Sequence, residues 1–220
     1  DRILAVNKVG HALHRVDDVF RKVSFSDSVA SICKSLGFER PVAPQSMFIM
    51  KNPRVGGKVT PHQDSTFLYT SPISVTGFWW ALHDATVENG CLWAVPGSHK
   101  TNPLKKRFVR REDGMGTEFI PRDVESSSST SPTSSSPTSS SPYDGVESEY
   151  DLRGGVPLPV DAGDMVLIHS KVVHWSAPNT SPKPRYAYAL HVTESAPPTV
   201  YPTSNWLLRG DGSTDFLPVF

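Results

Sequence analysis

The stretch Thr60-Pro61-His62-Gln63-Asp64 organises this chain, and the β-prone residues Phe67-Leu68-Tyr69 follow it. A proline and an upstream glycine pair are typical of turns, so we expect the stretch to lie where a loop becomes a strand. In an extended backbone, side chains two residues apart point to the same side. His62 and Asp64 therefore aim an imidazole and a carboxylate at a common point, while Gln63 faces away.

A His-x-Asp pair supplies two of the three ligands of a common kind of metal site. A second histidine would complete a face of two histidines and one carboxylate, which suits Fe(II) and leaves positions open for substrate and oxygen. The second half of the chain offers His169 and His174. We favour His174 because Arg185 follows it, and arginine can bind a carboxylate through two hydrogen bonds.

Composition narrows the class of protein. The 220 residues suit one domain with a substantial core, and 22 basic residues balance 22 acidic ones, so we expect no nucleic-acid or membrane-surface partner. The two cysteines, Cys33 and Cys91, form no disulfide framework, and no run of about 18 apolar residues predicts a membrane span. We expect a cytoplasmic monomer whose partners are molecular oxygen and a small-molecule substrate.

The apolar pattern predicts helices near the N-terminus and strands afterwards. Helical spacing over residues 7–37 gives two apolar stripes, which are Val9, Leu13, Val16, Val19 and Phe20, then Val29, Ile32, Cys33 and Leu36. Short β-prone runs follow at 46–50, 76–82, 91–95, 165–169, 172–175 and 186–192. Glu88-Asn89-Gly90 is a hairpin turn signal, and residues 105–125 read as charged and irregular. Such a series of short strands favours a jelly roll or barrel.

Residues 126–142 consist entirely of Ser, Thr and Pro. A segment of this composition has nothing to bury, so we expect a disordered insertion in a surface loop. A phosphorylated or glycosylated regulatory tract is the alternative interpretation.

Several motifs, in their order along the chain, resemble the phytanoyl-CoA dioxygenase family of iron- and 2-oxoglutarate-dependent dioxygenases. They are Gln45-Ser46-Met47, Pro61-His62-Gln63-Asp64, Asp84-Ala85-Thr86, Glu88-Asn89-Gly90-Cys91-Leu92-Trp93, Pro96-Gly97-Ser98-His99, and Val166-Leu167-Ile168-His169 continuing through His174. The likeness runs from about Asn7 to Trp206 and is interrupted by residues 126–142. Residues 1–220 then correspond to one domain of the family that lacks its usual N-terminal portion.

The resemblance implies a mainly β fold, a double-stranded β-helix (jelly roll) with the N-terminal helices packed on the barrel. It implies that Fe(II) is bound by three side chains at the open end of the barrel, those of His62, Asp64 and His174. It also implies that Arg185 binds the distal carboxylate of the co-substrate 2-oxoglutarate, and that Met47 and Trp79 line the same pocket beside His62 and Asp64. Plain core packing is an equally good interpretation of Met47 and Trp79.

The function implied by the resemblance is that of a dioxygenase, most simply a hydroxylase of a small organic or acyl substrate. It would couple decarboxylation of 2-oxoglutarate to succinate with oxidation of the substrate. A non-catalytic β-barrel binding module is the first alternative. A barrel that holds another divalent metal for a non-oxidative reaction is the second, and Arg185 argues against it because that reaction needs no anchor for a dicarboxylate.

Overall fold

A computed structural model describes residues 3–122 and 149–220 of the chain. The strands of these residues are β1 (Lys8–His11), β2 (Pro41–Lys51), β3 (Val59–His62), β4 (Thr76–Ala81), β5 (Leu92–Ala94), β6 (Lys106–Arg110), β7 (Thr117–Pro121), β8 (Val156–Leu158), β9 (Met165–His169), β10 (His174–Ser176), β11 (Arg185–Glu194) and β12 (Leu217–Pro218). The helices are α1 (Leu13–Val16), α2 (Asp18–Ser24), α3 (Asp27–Ser35) and α4 (Ser98–Thr101), with 3-10 turns at Ile3–Ala5 and Asp64–Thr66.

Two antiparallel sheets build the body. The larger sheet has the order β1-β2-β11-β4-β9 with β12 paired to β2, and the smaller has the order β3-β10-β5-β8. Their inner faces meet in one apolar cluster, in which Trp79 and Ala189 of the larger sheet pack with Cys91 and Leu92 of the smaller region. The mainly β jelly roll expected from the sequence is therefore confirmed.

Strand β11 is the centre of the larger sheet, because it pairs with β2 on one side and β4 on the other. Its residues are buried almost throughout, on the barrel side and on the helix side alike. The alternating pattern of residues 186–192 predicts a half-buried strand. This prediction is wrong, because the N-terminal helices cover the outer face of β11.

The N-terminal helices pack on that outer face. Phe20 of α2 and Cys33 of α3 join Phe78, Tyr188 and Leu190 of the sheet in a second apolar cluster. The first helical turns are capped by local side chains, because the Asp17 carboxylate accepts hydrogen bonds from two backbone amides of α2 and the Ser26 hydroxyl accepts one from α3. Helices packed on the barrel are thus confirmed.

The prediction of helices over residues 7–37 is wrong in two places, at its first residues and in the first apolar stripe. Residues 8–11 form the edge strand β1, which pairs with β2. Val16 and Val19, expected to face the core, are 79% and 72% exposed. Asp17 has an extended backbone and separates α1 from α2, which are two distinct helices. Apolar residues on the two sides of Asp17 therefore do not line one helical face.

Three other predictions of strands and loops need correction. Phe67-Leu68-Tyr69 is not a strand, because β3 ends at His62 and a 3-10 turn follows. Residues 105–125 contain the hairpin β6–β7, in which buried Arg107 and Val109 alternate with less buried neighbours. The turn at 88–90 joins β4 and β5, which lie in different sheets and are therefore not a hairpin.

Residues 126–142 lie outside the described residues, so the predicted insertion stays a prediction. Among the residues that the structure describes, none of the helices has the length and apolar character needed to cross a membrane.

Candidate metal and co-substrate site

The two strands β3 and β10 bring a pair of histidines together. His62 ends β3 and His174 begins β10, and the two residues are direct partners in the antiparallel register, with ring centroids 4.2 Å apart. Gln63 has extended dihedrals (φ −117°, ψ 130°), which place Asp64 on the side of His62. The Gln63 amide is turned away and donates to the backbone carbonyls of Asn102 and Lys171, as the sequence predicted.

The ligand atoms of the three side chains converge. Asp64 Oδ1 lies 3.6 Å from His62 Nε2 and 3.6 Å from His174 Nε2. One ligand atom from each residue lies within 4.8 Å of the others. Two ligands at right angles, each about 2.1 Å from an ion, would be about 3 Å apart, so small side-chain movements suffice to bring all three onto one metal.

The outer ring nitrogens fix the tautomers of both histidines. His62 Nδ1 lies 2.8 Å from the carbonyl oxygen of Thr60, and His174 Nδ1 lies 3.0 Å from that of Val172. Because a carbonyl can only accept, each Nδ1 carries the proton and each Nε2 lone pair faces Oδ1. Two lone pairs directed at one carboxylate oxygen repel it unless a cation lies between them, so these residues fit a metal ion.

Burial and charge keep the site in the protonation states that a metal requires. Burial, and then the neighbouring His62, lowers the pKa of His174 to about 4, so its imidazole is neutral at pH 7. Burial alone would raise the pKa of Asp64. The neighbouring imidazoles of His174, His191 and His62 nevertheless outweigh burial and hold the pKa of this carboxyl well below its usual range.

Arg185 begins β11 and points into the barrel, where it is only 1% exposed. Its Nε donates to the carbonyl of Gly90 at 3.1 Å, and its guanidinium carbon lies 5.3 Å from the centroid of the Trp79 ring. Nη1 is buried and has no hydrogen-bond partner among the described residues. Burial lowers the pKa of Arg185 to about 10, so the group stays charged at pH 7 and needs an anion.

The barrel wall beside Arg185 contains Met47 and Trp79. Both are register partners of Ala189 on β11, one from β2 and one from β4, so the three side chains form one row across the inner face. Ala187, with Ala81 of β4 on one side and Ile49 of β2 on the other, forms the next row towards Arg185. Two of these three side chains are short alanines.

Lys51 is a second buried cation that the sequence reasoning missed. It is the register partner of Arg185, is 2% exposed, and donates to the carbonyls of Gly57 and Ala177 at 2.6 and 2.5 Å. Burial and the charge of Arg185 lower the pKa of Lys51 to about 7. Its carbonyl partners, Gly57 and Ala177, show that Lys51 holds two loops together. Lys183, the lysine nearest to Arg185 in sequence, is exposed at the surface.

The other candidate histidine lies elsewhere. His169 is exposed at the end of β9, with its ring centroid 5.0 Å from that of His99, and its Nδ1 accepts a hydrogen bond from the Lys171 amide. The sequence reasoning also missed His191, whose Nε2 lies 3.5 Å from Asp64 Oδ2. Alternation along β11 could have found it, since His191 is an even number of residues from Arg185 and so shares its face.

The jelly roll resembles those of solved non-haem enzymes. The non-heme alpha ketoglutarate dependent carbocyclase SnoK from nogalamycin biosynthesis superposes with a TM-score of 0.63 at 24% identity, covering 93% of this chain and 68% of that one. EvdO2 from Micromonospora carbonacea var. aurantiaca superposes with a TM-score of 0.57 at 21% identity, covering 90% and 69%. At these identities the likeness shows a shared fold.

Curated relatives are much closer in sequence. Phytanoyl-CoA dioxygenase 1 of Oryza sativa subsp. japonica is 47% identical over 206 residues, which are 94% of this chain and 63% of the relative. Phytanoyl-CoA dioxygenase domain-containing protein 1 of Danio rerio is 45% identical over 206 residues, 92% of this chain and 62% of the relative. The chain thus spans less than two thirds of the length of either relative. A sequence model described as Phytanoyl-CoA dioxygenase (PhyH) matches residues 2–187, and the chain belongs to that family.

Proposed function

We propose that this chain carries the catalytic site of an Fe(II)- and 2-oxoglutarate-dependent dioxygenase that hydroxylates a small organic or acyl substrate. His62, Asp64 and His174 are the metal ligands, and Arg185 anchors 2-oxoglutarate. The observation that carries the proposal is the convergence of two Nε2 lone pairs and one carboxylate oxygen at the inner end of the barrel.

The donor set favours Fe(II) among the common metals. Two imidazoles and one carboxylate on a single face leave the opposite coordination positions free, which is the arrangement of non-haem iron oxygenases. Names of proteins with the same fold agree with this choice. One neighbour is described as the epimerase SnoN in complex with Fe3+ and alpha ketoglutarate, and EvdO2 is described as complexed with 2-oxoglutarate.

The wall of the barrel fits the co-substrate. Arg185 offers Nη1, a buried charged donor with no described partner, and arginine binds a carboxylate in a two-pronged geometry. We place the short dicarboxylate along the wall between Arg185 and Asp64, where Ala187, Ala81 and Ala189 contribute short side chains. Met47 and Trp79 lie on the same wall, so their position supports the proposed lining roles.

Each residue then has a defined task. Bound iron would use molecular oxygen and 2-oxoglutarate to oxidise a C–H bond of the substrate, with one oxygen atom going to the substrate and the other to the succinate that forms as carbon dioxide leaves. His62 and His174 present neutral Nε2 atoms to the metal, and their Nδ1–H groups hold the rings against backbone carbonyls. Arg185 orients the co-substrate, and Trp79 shields the site from water. Molecular oxygen and the prime substrate are the remaining partners.

The proposal is tested by two measurements on this chain. Under anaerobic conditions, Fe(II) and 2-oxoglutarate together should give the visible charge-transfer absorption of iron-bound 2-oxoglutarate. In air, a substrate screen should find compounds that stimulate formation of succinate. The His62→Ala variant should lose both signals, whereas the matched variant of an exposed histidine, His169→Ala, should keep them.

A non-catalytic binding module would give a different result. It would bind 2-oxoglutarate equally well with and without Fe(II) and would show no charge-transfer band. That outcome, together with no succinate above the protein-free control, would contradict the proposed function.

A further inference from the structure

We propose that His191 is a positioning residue for the metal centre: its Nε2–H holds the Oδ2 atom of Asp64 and thereby fixes Oδ1 as the single oxygen offered to the metal. The inference rests on the proposed function, because it assigns a geometry to the carboxylate that the proposal makes a ligand. It adds a residue that the two-histidine, one-carboxylate pattern does not contain.

The two oxygens of Asp64 have different surroundings. Oδ1 is equidistant, at 3.6 Å, from the Nε2 atoms of His62 and His174. Oδ2 points the other way, 3.5 Å from His191 Nε2. Oδ2 is buried, and at the present distances no described group makes a well-formed hydrogen bond to it. A small rotation of the His191 ring that moves Nε2 by a few tenths of an ångström brings Nε2 and Oδ2 into hydrogen-bond range.

His191 is held rigidly in that position. It lies in β11 between Gln45 of β2 and Gly77 of β4, and it is 8% exposed. Its Nδ1 is buried and has no hydrogen-bond partner among the described residues. The Asp64 carboxylate, 3.5 Å from Nε2, is therefore the partner that we assign to this ring. The neutral Nε2–H tautomer of His191 can donate to this carboxylate.

Gly77 makes the contact sterically possible. A Cβ atom at this position would lie 3.2 Å from Asp64 Oδ2 and 3.7 Å from His191 Cδ2. The methyl group of an alanine here would crowd Oδ2, so the carboxylate would have to shift by a few tenths of an ångström, whereas the imidazole would stay at ordinary van der Waals distance. The φ angle of Gly77 is not in the left-handed region, so space rather than backbone conformation explains the need for glycine.

The consequence concerns the number of open coordination positions. A carboxylate that binds through both oxygens occupies two positions on a metal, whereas one that binds through Oδ1 alone occupies one. A site that must hold a chelating co-substrate and still admit oxygen cannot lose a position. By engaging Oδ2, His191 keeps Asp64 to one position, in the way that outer hydrogen bonds commonly orient metal ligands.

The experiment compares His191→Phe with His191→Gln. Phenylalanine fills the space without a donor, whereas the glutamine amide can still donate to Oδ2. Mn(II) affinity is measured by isothermal titration of the metal-free protein. We expect His191→Phe to weaken Mn(II) binding by about 10- to 100-fold and His191→Gln to restore most of it. The Co(II)-loaded His191→Phe protein should also show weaker visible absorption, because a chelating Asp64 raises the coordination number.

His14→Gln is the matched control for loss of a buried histidine. His14 is 1% exposed and bonds to Ser46 rather than to Asp64, so this variant should keep the parent Mn(II) affinity. Melting temperatures of the metal-free proteins show whether each variant is folded. If His191→Phe does not fold, Gly77→Ala provides the same test with His191 in place, and we expect a similar loss of Mn(II) affinity.

Three results would overturn the inference. They are Mn(II) affinity within twofold of the parent in folded His191→Phe, equal losses in His191→Gln and His191→Phe, and parent affinity in Gly77→Ala. Failure of the proposed function is distinguishable from these results. In that case the unmutated protein itself would bind neither Mn(II) nor Fe(II) with 2-oxoglutarate.

Discussion

The role of each histidine follows from the partners of its two ring nitrogens. His62 and His174 bind backbone carbonyls through Nδ1 and turn Nε2 inward. His14 is more deeply buried than either, but its Nδ1 lies 2.7 Å from the Ser46 hydroxyl and its Nε2 is enclosed on the helix side of the sheet. His169 is exposed. Burial alone therefore does not distinguish the proposed ligands from the other histidines, whereas the direction of the free nitrogen does.

Acid should destabilise the fold in part through His14. Burial, and then the charge of Arg15, lowers its pKa to about 4 from an ordinary value of 6.5. Between pH 6.5 and 4 the unfolded chain binds this proton and the folded chain does not, so stability falls as the pH falls through that window.

Urea unfolding of the parent and of His14→Gln at several pH values checks this expectation. The parent should be the more stable protein at pH 7, and its advantage should shrink towards pH 4.5. A difference that is constant across this range would contradict the assignment.

Arg185→Lys should raise the 2-oxoglutarate concentration needed for half-saturation by at least about tenfold. Lysine keeps the charge but loses the two-pronged geometry, and hydrogen bonds to charged groups contribute about 1.5–3 kcal/mol. Anaerobic titration with Fe(II) present measures the shift, while Mn(II) affinity should stay at the parent value.

Lys183→Ala is the control for Arg185→Lys, because Lys183 is exposed and should not contribute. An unchanged half-saturation value in Arg185→Lys would transfer the anchoring role to the buried Lys51.

At the scale of elements, long apolar strands could be predicted and edge strands could not. Strands β2, β4, β9 and β11 contain enough β-branched and aromatic residues to be predicted from the sequence. Strand β1 is largely exposed and β6 is rich in basic residues, so both depend on pairing that no local pattern reveals. His62 and Asp64 could be paired from spacing alone, whereas the contact of His191 with Asp64 required the order of strands.

Leu190→Ala and Val16→Ala compare a residue that the structure buries under the helices with a residue that only the sequence pattern placed on a buried face. Leu190 is fully buried between β11 and the helices, and its truncation should cost about 2–5 kcal/mol of unfolding free energy. Val16 is 79% exposed, and its truncation should cost less than about 0.5 kcal/mol. Urea denaturation measures both, and similar losses for the two variants would contradict the helix packing.

At the scale of the whole molecule, the site joins the two halves of the chain. His62 and Asp64 come from the first half, His174 and Arg185 come from the second, and pairing of β3 with β10 unites them. Residues 126–142 lie between the halves in sequence, after β7 and before β8. The strands on either side of this tract are held by their own partners, β6 and β5.

Deletion of residues 126–142 should therefore leave metal binding and stability close to those of the parent. The tract has no apolar side chains to contribute to a core. A change in melting temperature below about 2 °C is expected, since 1 kcal/mol corresponds to about 2–4 °C in a chain of this size. A larger fall would show that the tract packs on the body.

The most direct test of the account is Fe(II) affinity in His174→Ala and His169→Ala, measured anaerobically on folded, metal-free protein. Both variants remove one imidazole from the same segment of the chain, but only the His174 ring faces Asp64 Oδ1. The account predicts that His174→Ala loses Fe(II) binding and the charge-transfer band with 2-oxoglutarate, and that His169→Ala retains both. Retention of iron by His174→Ala and its loss in His169→Ala would contradict the proposed metal centre.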